Sequence, residues 1–255
     1  MPDSQRVIYE HQFLITANRC LKEINQIDNK ELHQQLTEII SAKQTTMPIT
    51  FWHATFGSPE FEKLTALDNI SLPLEFRAEV VHDIQAALTW LNGLHLQLGA
   101  PTLDIDSGQL ELHYQRLQQY PYLGQLFFTV SLLTRDLTRA TQALQQRLDK
   151  HPVCFQNKPS DTGRILHTVF TKFYVGRIQP YLAKTYREGE VVIQTLERML
   201  QIQQTQTPDS FQTYAQRYLS TQPNSLWYDF EQSIQAHTKI WQRLLTQCGM
   251  MPGAS

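Results

Sequence analysis

Apolar residues recur every three to four positions along almost the whole chain, the spacing that gathers them on one face of an α-helix. In the first segment Phe13, Ala17, Cys20, Leu21, Ile24 and Ile27 fall on one stripe. Asp28-Asn29-Lys30-Glu31 reads as a capping box that starts a second helix, with Leu32, Leu36, Ile39 and Ile40 inward. Thr46 to Gly57 is apolar and aromatic but breaks the period, which predicts an irregular segment tucked against the core. Ser58-Pro59-Glu60 opens a short helix: a capping serine, a proline at the first helical position and an acid near the positive end.

An irregular stretch from Asp68 to Pro73 leads to a strong helix with the stripe Phe76, Val80, Ile84, Ala87, Leu91, Leu94 and Leu98, stopped by Gly99 and Pro101. Asp106 or Ser107 caps the next helix, which ends near Tyr120-Pro121. A long helix follows from Tyr122 to Lys150, ended by His151-Pro152. Asp161 is positioned to cap a basic helix, and Gly176 and Pro180 inside its pattern predict a kink or break. Val191 to Ile202 is helical again, and helices near 209–220 and 224–247 finish the chain. Strand signals are nearly absent and no repeat of fixed period appears. The simplest account is a single all-α domain over residues 1–255, an irregular bundle of roughly eight to ten helices.

Composition narrows the class. The chain has 255 residues, 41% of them hydrophobic, enough for a real core. A net charge of -2 excludes wholesale attraction to nucleic acid, so any anion binding is local. No run approaches the ~20 apolar residues of a membrane span. Met1-Pro2-Asp3-Ser4-Gln5-Arg6 has no apolar signal core, which points to the cytoplasm if the chain is complete as given. The three cysteines leave two readings open. Cys20 and Cys154 pair in an oxidising compartment and leave Cys248 over, or all three are reduced and act as small apolar side chains.

Catalytic and metal signatures are weak. Glu79-Val80-Val81-His82 is a lone Glu-x-x-His, and a di-iron bundle needs two such pairs and two further glutamates. There is no Cys-x-x-Cys, nucleophile elbow, phosphate loop or dinucleotide fingerprint, so no metal, cofactor or catalytic residue is assigned. Asp104 and Asp106 stand before a helix start, where capping explains them. Thr129, Thr134, Thr138 and Thr141 read as the polar flank of the long helix.

The densest charge and aromatic content coincide in one segment. Lys158, Arg164, Lys172, Arg177, Lys184 and Arg187 face one acid, Asp161, within thirty residues. Arg164, Thr168 and Lys172 share a helical line, as do Arg177, Tyr181 and Lys184. Ile165, Val169, Phe170, Phe173 and Ile178 are expected to form the buried side. Lys158, Arg164, Lys172, Tyr174, Arg177, Tyr181 and Lys184 are therefore the candidate binding surface, for a lipid headgroup, cell-wall polymer or acidic protein. A second candidate is a pocket at Trp52, His53 and Phe56, within the Phe51–Phe56 segment, where His53 is a possible acid or base.

Two patches, Phe51-Trp52-His53-Ala54-Thr55-Phe56-Gly57-Ser58-Pro59-Glu60-Phe61 and Cys154 to Ala183, resemble a family of bacterial proteins assigned as lipoproteins and known only as a domain of unknown function, family 3080 of that series. Arg6-Val7-Ile8-Tyr9-Glu10 and Pro121-Tyr122-Leu123-Gly124-Gln125-Leu126 fit the same pattern, so the likeness covers essentially the whole chain. The resemblance implies a longer front, with a signal peptide ending in a lipidated cysteine, that this chain lacks. It implies the periplasmic face of a membrane, a Cys20–Cys154 disulfide and an upstream partner for Cys248. It carries no activity. The resulting expectation is a non-enzymatic envelope protein that binds or scaffolds through the basic-aromatic surface. The alternatives are a small-molecule binder or enzyme at Phe51–Phe56, and a cytoplasmic helical adaptor.

Overall fold

The computed structural model describes residues 1–24, 29–67, 69–203 and 205–251. Ile27, Asp28 and Asp68, which entered the sequence reading, lie outside the described residues. The protein is all-α, and no strand forms among the described residues. Seven helices there run to 12 residues or more, fewer than the eight to ten expected, and the remaining helical chain is in short pieces. The chain divides into two compact units, Met1–Asp68 with Arg77–Gly124 and Gln194–Thr213, and Asn69–Phe76 with Gln125–Ile193 and Tyr214–Ser255.

The first unit is built on α1 (Asp3–Ile24), α2 (Lys30–Ala54), α3 (Pro59–Leu64), α4 (Ala78–Gln97) and α5 (Ser107–Gln118). Asn29 caps α2 by accepting from the Leu32 N–H at 3.1 Å. The segment from Thr46 to Gly57 is not irregular as expected, because α2 runs through it to Ala54 with Pro48 inside. Met47, Thr50, Phe51 and Ala54 are buried at i, i+3, i+4 and i+7, so the helical period continues there. Burying that stripe outweighs the hydrogen bond that Pro48 cannot donate. Leu14, Ala17, Ile40 and Met47 form a core between α1 and α2, with Phe13, Leu21, Leu36 and Leu98 against it.

Several polar groups of this unit hold its turns and helix ends in place. His11 Nδ1 accepts from the Gly99 N–H at 3.2 Å, which leaves Nε2–H to donate to the Leu103 carbonyl at 3.0 Å. Gly99, at φ +85°, ends the α4 turn where a left-handed residue is needed. Asp106 caps α5 through the Gly108 and Gln109 N–H groups. The Tyr114 hydroxyl donates to the Ala54 carbonyl, and burial pushes its pKa far up, with nearby Glu60, Glu111 and Asp3 adding to the shift.

The second unit contains most of α6 (Tyr122–Lys150), then α7 (Asp161–Val169), a π-helical segment (Phe170–Ile178), the part of α8 (Gln179–Gln203) up to Ile193, the end of α9 (Asp209–Tyr218) and α10 (Leu226–Gln247). Ser160, not Asp161, caps α7: its hydroxyl oxygen accepts from the Gly163 N–H at 3.0 Å and its hydrogen goes to the Val153 carbonyl at 2.6 Å. The break expected at Gly176 and Pro180 takes the form of the π segment. Pro180 has no N–H for the Gly176 carbonyl, and Gln179 bonds five residues back to the Tyr174 carbonyl.

The cysteine pairing differs from expectation. Cys154 bonds Cys248, with Cα atoms 5.0 Å apart, and Cys20 is a free, partly exposed thiol on α1. Gln247 brings the two chain regions together by accepting from the Val153 N–H at 2.8 Å. A side chain at Gly163 would collide with both disulfide sulfurs. No described helix is long and apolar enough to cross a membrane.

Candidate functional site

A groove of about 830 Å³ opens on the second unit. One wall is the α6 face carrying Leu133, Asp136, Leu137 and Ala140, at i, i+3, i+4 and i+7. The facing wall is Tyr174, Arg177 and Ile178 from the π segment, with Pro180, Tyr181 and Lys184 from the start of α8. Leu74 and Glu75, from the segment Asn69–Phe76, lie at one side, and His237 of α10 completes the lining. Most of these side chains are apolar, and a few polar groups converge on them.

Of the seven residues proposed from sequence as a basic surface, the groove gathers Tyr174, Arg177, Tyr181 and Lys184. Lys158, Arg164 and Lys172 are exposed elsewhere on the 158–178 segment, Arg164 beside Asp161 at 3.5 Å. Arg187 pairs with Glu188 at 2.9 Å. The gathered four have different tasks. Tyr181 donates its hydroxyl to the Leu72 carbonyl at 2.7 Å, and burial raises its pKa. Lys184 donates to the Phe76 carbonyl and sits 4.4 Å from the Phe76 ring centroid. These two side chains pin the segment Asn69–Phe76, helped by Thr129, whose hydroxyl accepts from the Leu72 N–H at 2.8 Å.

Arg177 is the cation left for something else. It lies 6.0 Å from the Phe173 ring and makes no ion pair among the described residues. Tyr174 is buried, its ring 4.9 Å from His237 and 5.7 Å from Phe170, and its hydroxyl has no protein partner among the described residues. Two acids, Glu75 and Asp136, share the groove with Arg177 and Lys184. The Arg135 guanidinium, bonded at 2.8 Å, lowers the Asp136 pKa.

His237 is locked. Its Nε2 accepts from the Trp241 indole N–H at 2.9 Å, so Nδ1 carries the proton and donates to Thr141 Oγ1 at 3.0 Å. Burial holds its pKa below the ordinary range. Both nitrogens are engaged, which suits positioning and not proton transfer. Sequence reasoning passed over His237 and the α6 wall. The signal was present in Leu133, Leu137 and the small Ala140 on one helical line, next to the Thr run that drew attention instead.

At the second candidate the aromatic side chains form a packed cluster. Trp52 and Phe56 pack ring to ring against Phe211, at 5.1 and 5.4 Å, and Phe56 against Phe61 at 5.1 Å. His53 is exposed. Glu79 and His82 are both exposed on α4, and among the described residues no three His, Cys, Asp or Glu side chains cluster as metal ligands.

No curated protein and no solved structure matches the chain. One family model does, and it spans residues 1–252. Its description carries no activity, so the groove stands on its own chemistry. The chain belongs to the family described as protein of unknown function DUF3080.

Proposed function

We propose that this is a binding protein of the cell envelope whose groove takes an amphiphile, an apolar chain with an acidic end. The observation that carries the reading is the pairing of an apolar cavity of about 830 Å³ with Arg177, a guanidinium without a carboxylate partner. Ligand sites are mostly apolar clefts of this size with a few placed polar groups. An acidic end group suits Arg177 because a charge-assisted, two-pronged bond satisfies its fork. The Tyr174 hydroxyl supplies a second donor nearby. Leu133, Leu137 and Ile178 then cover the chain of the ligand.

Titration with dansyl-undecanoate tests this. Saturable binding is expected for the native chain. Ala140→Trp fills the groove and abolishes binding with the melting temperature unchanged. Arg177→Met weakens the carboxylate roughly tenfold, the worth of one charge-assisted bond, and leaves the matching alcohol unaffected. Equal binding by native protein and Ala140→Trp defeats the reading.

The Cys154–Cys248 disulfide supports placement in an oxidising compartment, here the periplasmic side of the envelope. Thiol labelling of protein from its native host, without reductant, should modify Cys20 alone. Labelling of Cys154 and Cys248 as well would favour the cytoplasmic adaptor.

A further inference from the structure

Of Ile165, Val169, Phe170, Phe173 and Ile178, expected on a buried side, Phe170 packs against Trp241 at 5.1 Å, whereas the other four face outward. Ile165 is 64% exposed, Phe173 51% and Ile178 42%, with Phe155 at 72% in the loop before α7. In that arm Gly163 and Tyr174 are the buried residues, and Phe170 packs beside Tyr174 on Trp241, so it is held at its base and by two rings while its apolar row meets solvent.

The row has a partner row. Ile165, Val169 and Phe173 follow one another at steps of four, and Arg164, Thr168 and Lys172 follow them one position behind, equally exposed. A step of four lies closer to a full turn in the wide π coil, so the segment keeps Phe173 in line with Val169. Between residues 155 and 178 there are four cations, Lys158, Arg164, Lys172 and Arg177, against one acid, Asp161, a formal +3 within a chain of net charge -2.

An apolar row flanked by cations is the pattern of a helix lying in a lipid interface. We propose that the 155–178 arm docks on an anionic bilayer surface, with Phe173 and Ile165 inserted among the headgroups and Lys172 and Lys158 on the lipid phosphates. Charge complementarity selects this occupant over a second copy of the chain. A two-fold contact between arms would set four cations against four, whereas a lipid phosphate surface neutralises them. Lys158, Ile165, Lys172 and Phe173 lie outside the groove lining, so this docking is independent of the amphiphile reading.

The test is co-sedimentation of the full chain with large vesicles, phosphatidylcholine alone or with about a third phosphatidylglycerol. Sedimentation with the anionic vesicles is expected, with little on phosphatidylcholine and release at high salt, since each nearby cation contributes about fivefold. Ile165→Gln with Phe173→Gln should lower the partition at least tenfold. Both positions are exposed, so the melting temperature should hold. Lys158→Glu with Lys172→Glu should abolish salt-sensitive binding. Ala140→Trp should leave sedimentation intact, which separates this idea from the groove. Equal sedimentation by the double glutamine variant overturns the proposal. So does concentration-dependent dimerisation that this variant abolishes, because a second copy then covers the face.

Discussion

At the scale of single residues, His237 sets a pH limit on the second unit. Its Nε2 must accept from Trp241, so a proton there faces the indole N–H and breaks the bond. Burial holds its folded pKa below the ordinary 6.5. The unfolded chain therefore takes up a proton more readily as pH falls through that value, and stability present above it is lost below. His95 and His113 shift the same way, both through burial, with Arg116 adding to the effect on His113. Urea midpoints should fall between about pH 7.5 and 5.5, and His237→Gln should remove part of the slope. An unchanged slope in that variant would assign the effect to the other two histidines. None of this was legible from the chain alone, because His237 sits on a helix stripe like any other polar residue. Its role comes from Thr141, 96 positions away, and from a tryptophan one turn along.

At the scale of elements, legibility followed punctuation. α6 was readable from end to end because Pro121 opens it and His151-Pro152 closes it. α2 was misread at Thr46, although Met47, Thr50, Phe51 and Ala54 keep its period. Aromatic density masked the stripe. Pro48 lacks the N–H that would bond the Gln44 carbonyl, while its ring stiffens the unfolded chain. The lost bond is the larger effect. Pro48→Ala should therefore raise stability by about 1 kcal/mol, read as a higher urea midpoint at unchanged slope. A lower midpoint would mean that the ring's own packing matters more. The 155–178 arm failed in the opposite sense. Its apolar spacing was legible, but the direction it faces is set by where Tyr174 and Gly163 anchor it.

At the scale of the whole molecule, the all-α class was readable and the cysteine pairing was not. Periodicity reports local winding, whereas Cys154 and Cys248 are 94 positions apart and meet through the end of α10. Cys20 offered an equally plausible partner by spacing. A cross-link over so long a loop restricts the unfolded chain strongly, by roughly 2–4 kcal/mol. Cys154→Ala with Cys248→Ala should lower the melting temperature by about 5–10 °C, while Cys20→Ala should change it by less than about 2 °C. Equal losses from both would place Cys20 in a stabilising role that its partial exposure does not suggest.

Gly163 gives the disulfide an evolutionary signature. The two sulfurs occupy the space where its β-carbon would stand, so three positions scattered over the gene are tied to a single volume. A relative that has lost either thiol is released from that bond, and a larger residue at position 163 can then fill the hollow. In relatives that retain both, mutation at 163 is closed to everything but hydrogen, and the trio drifts or persists together.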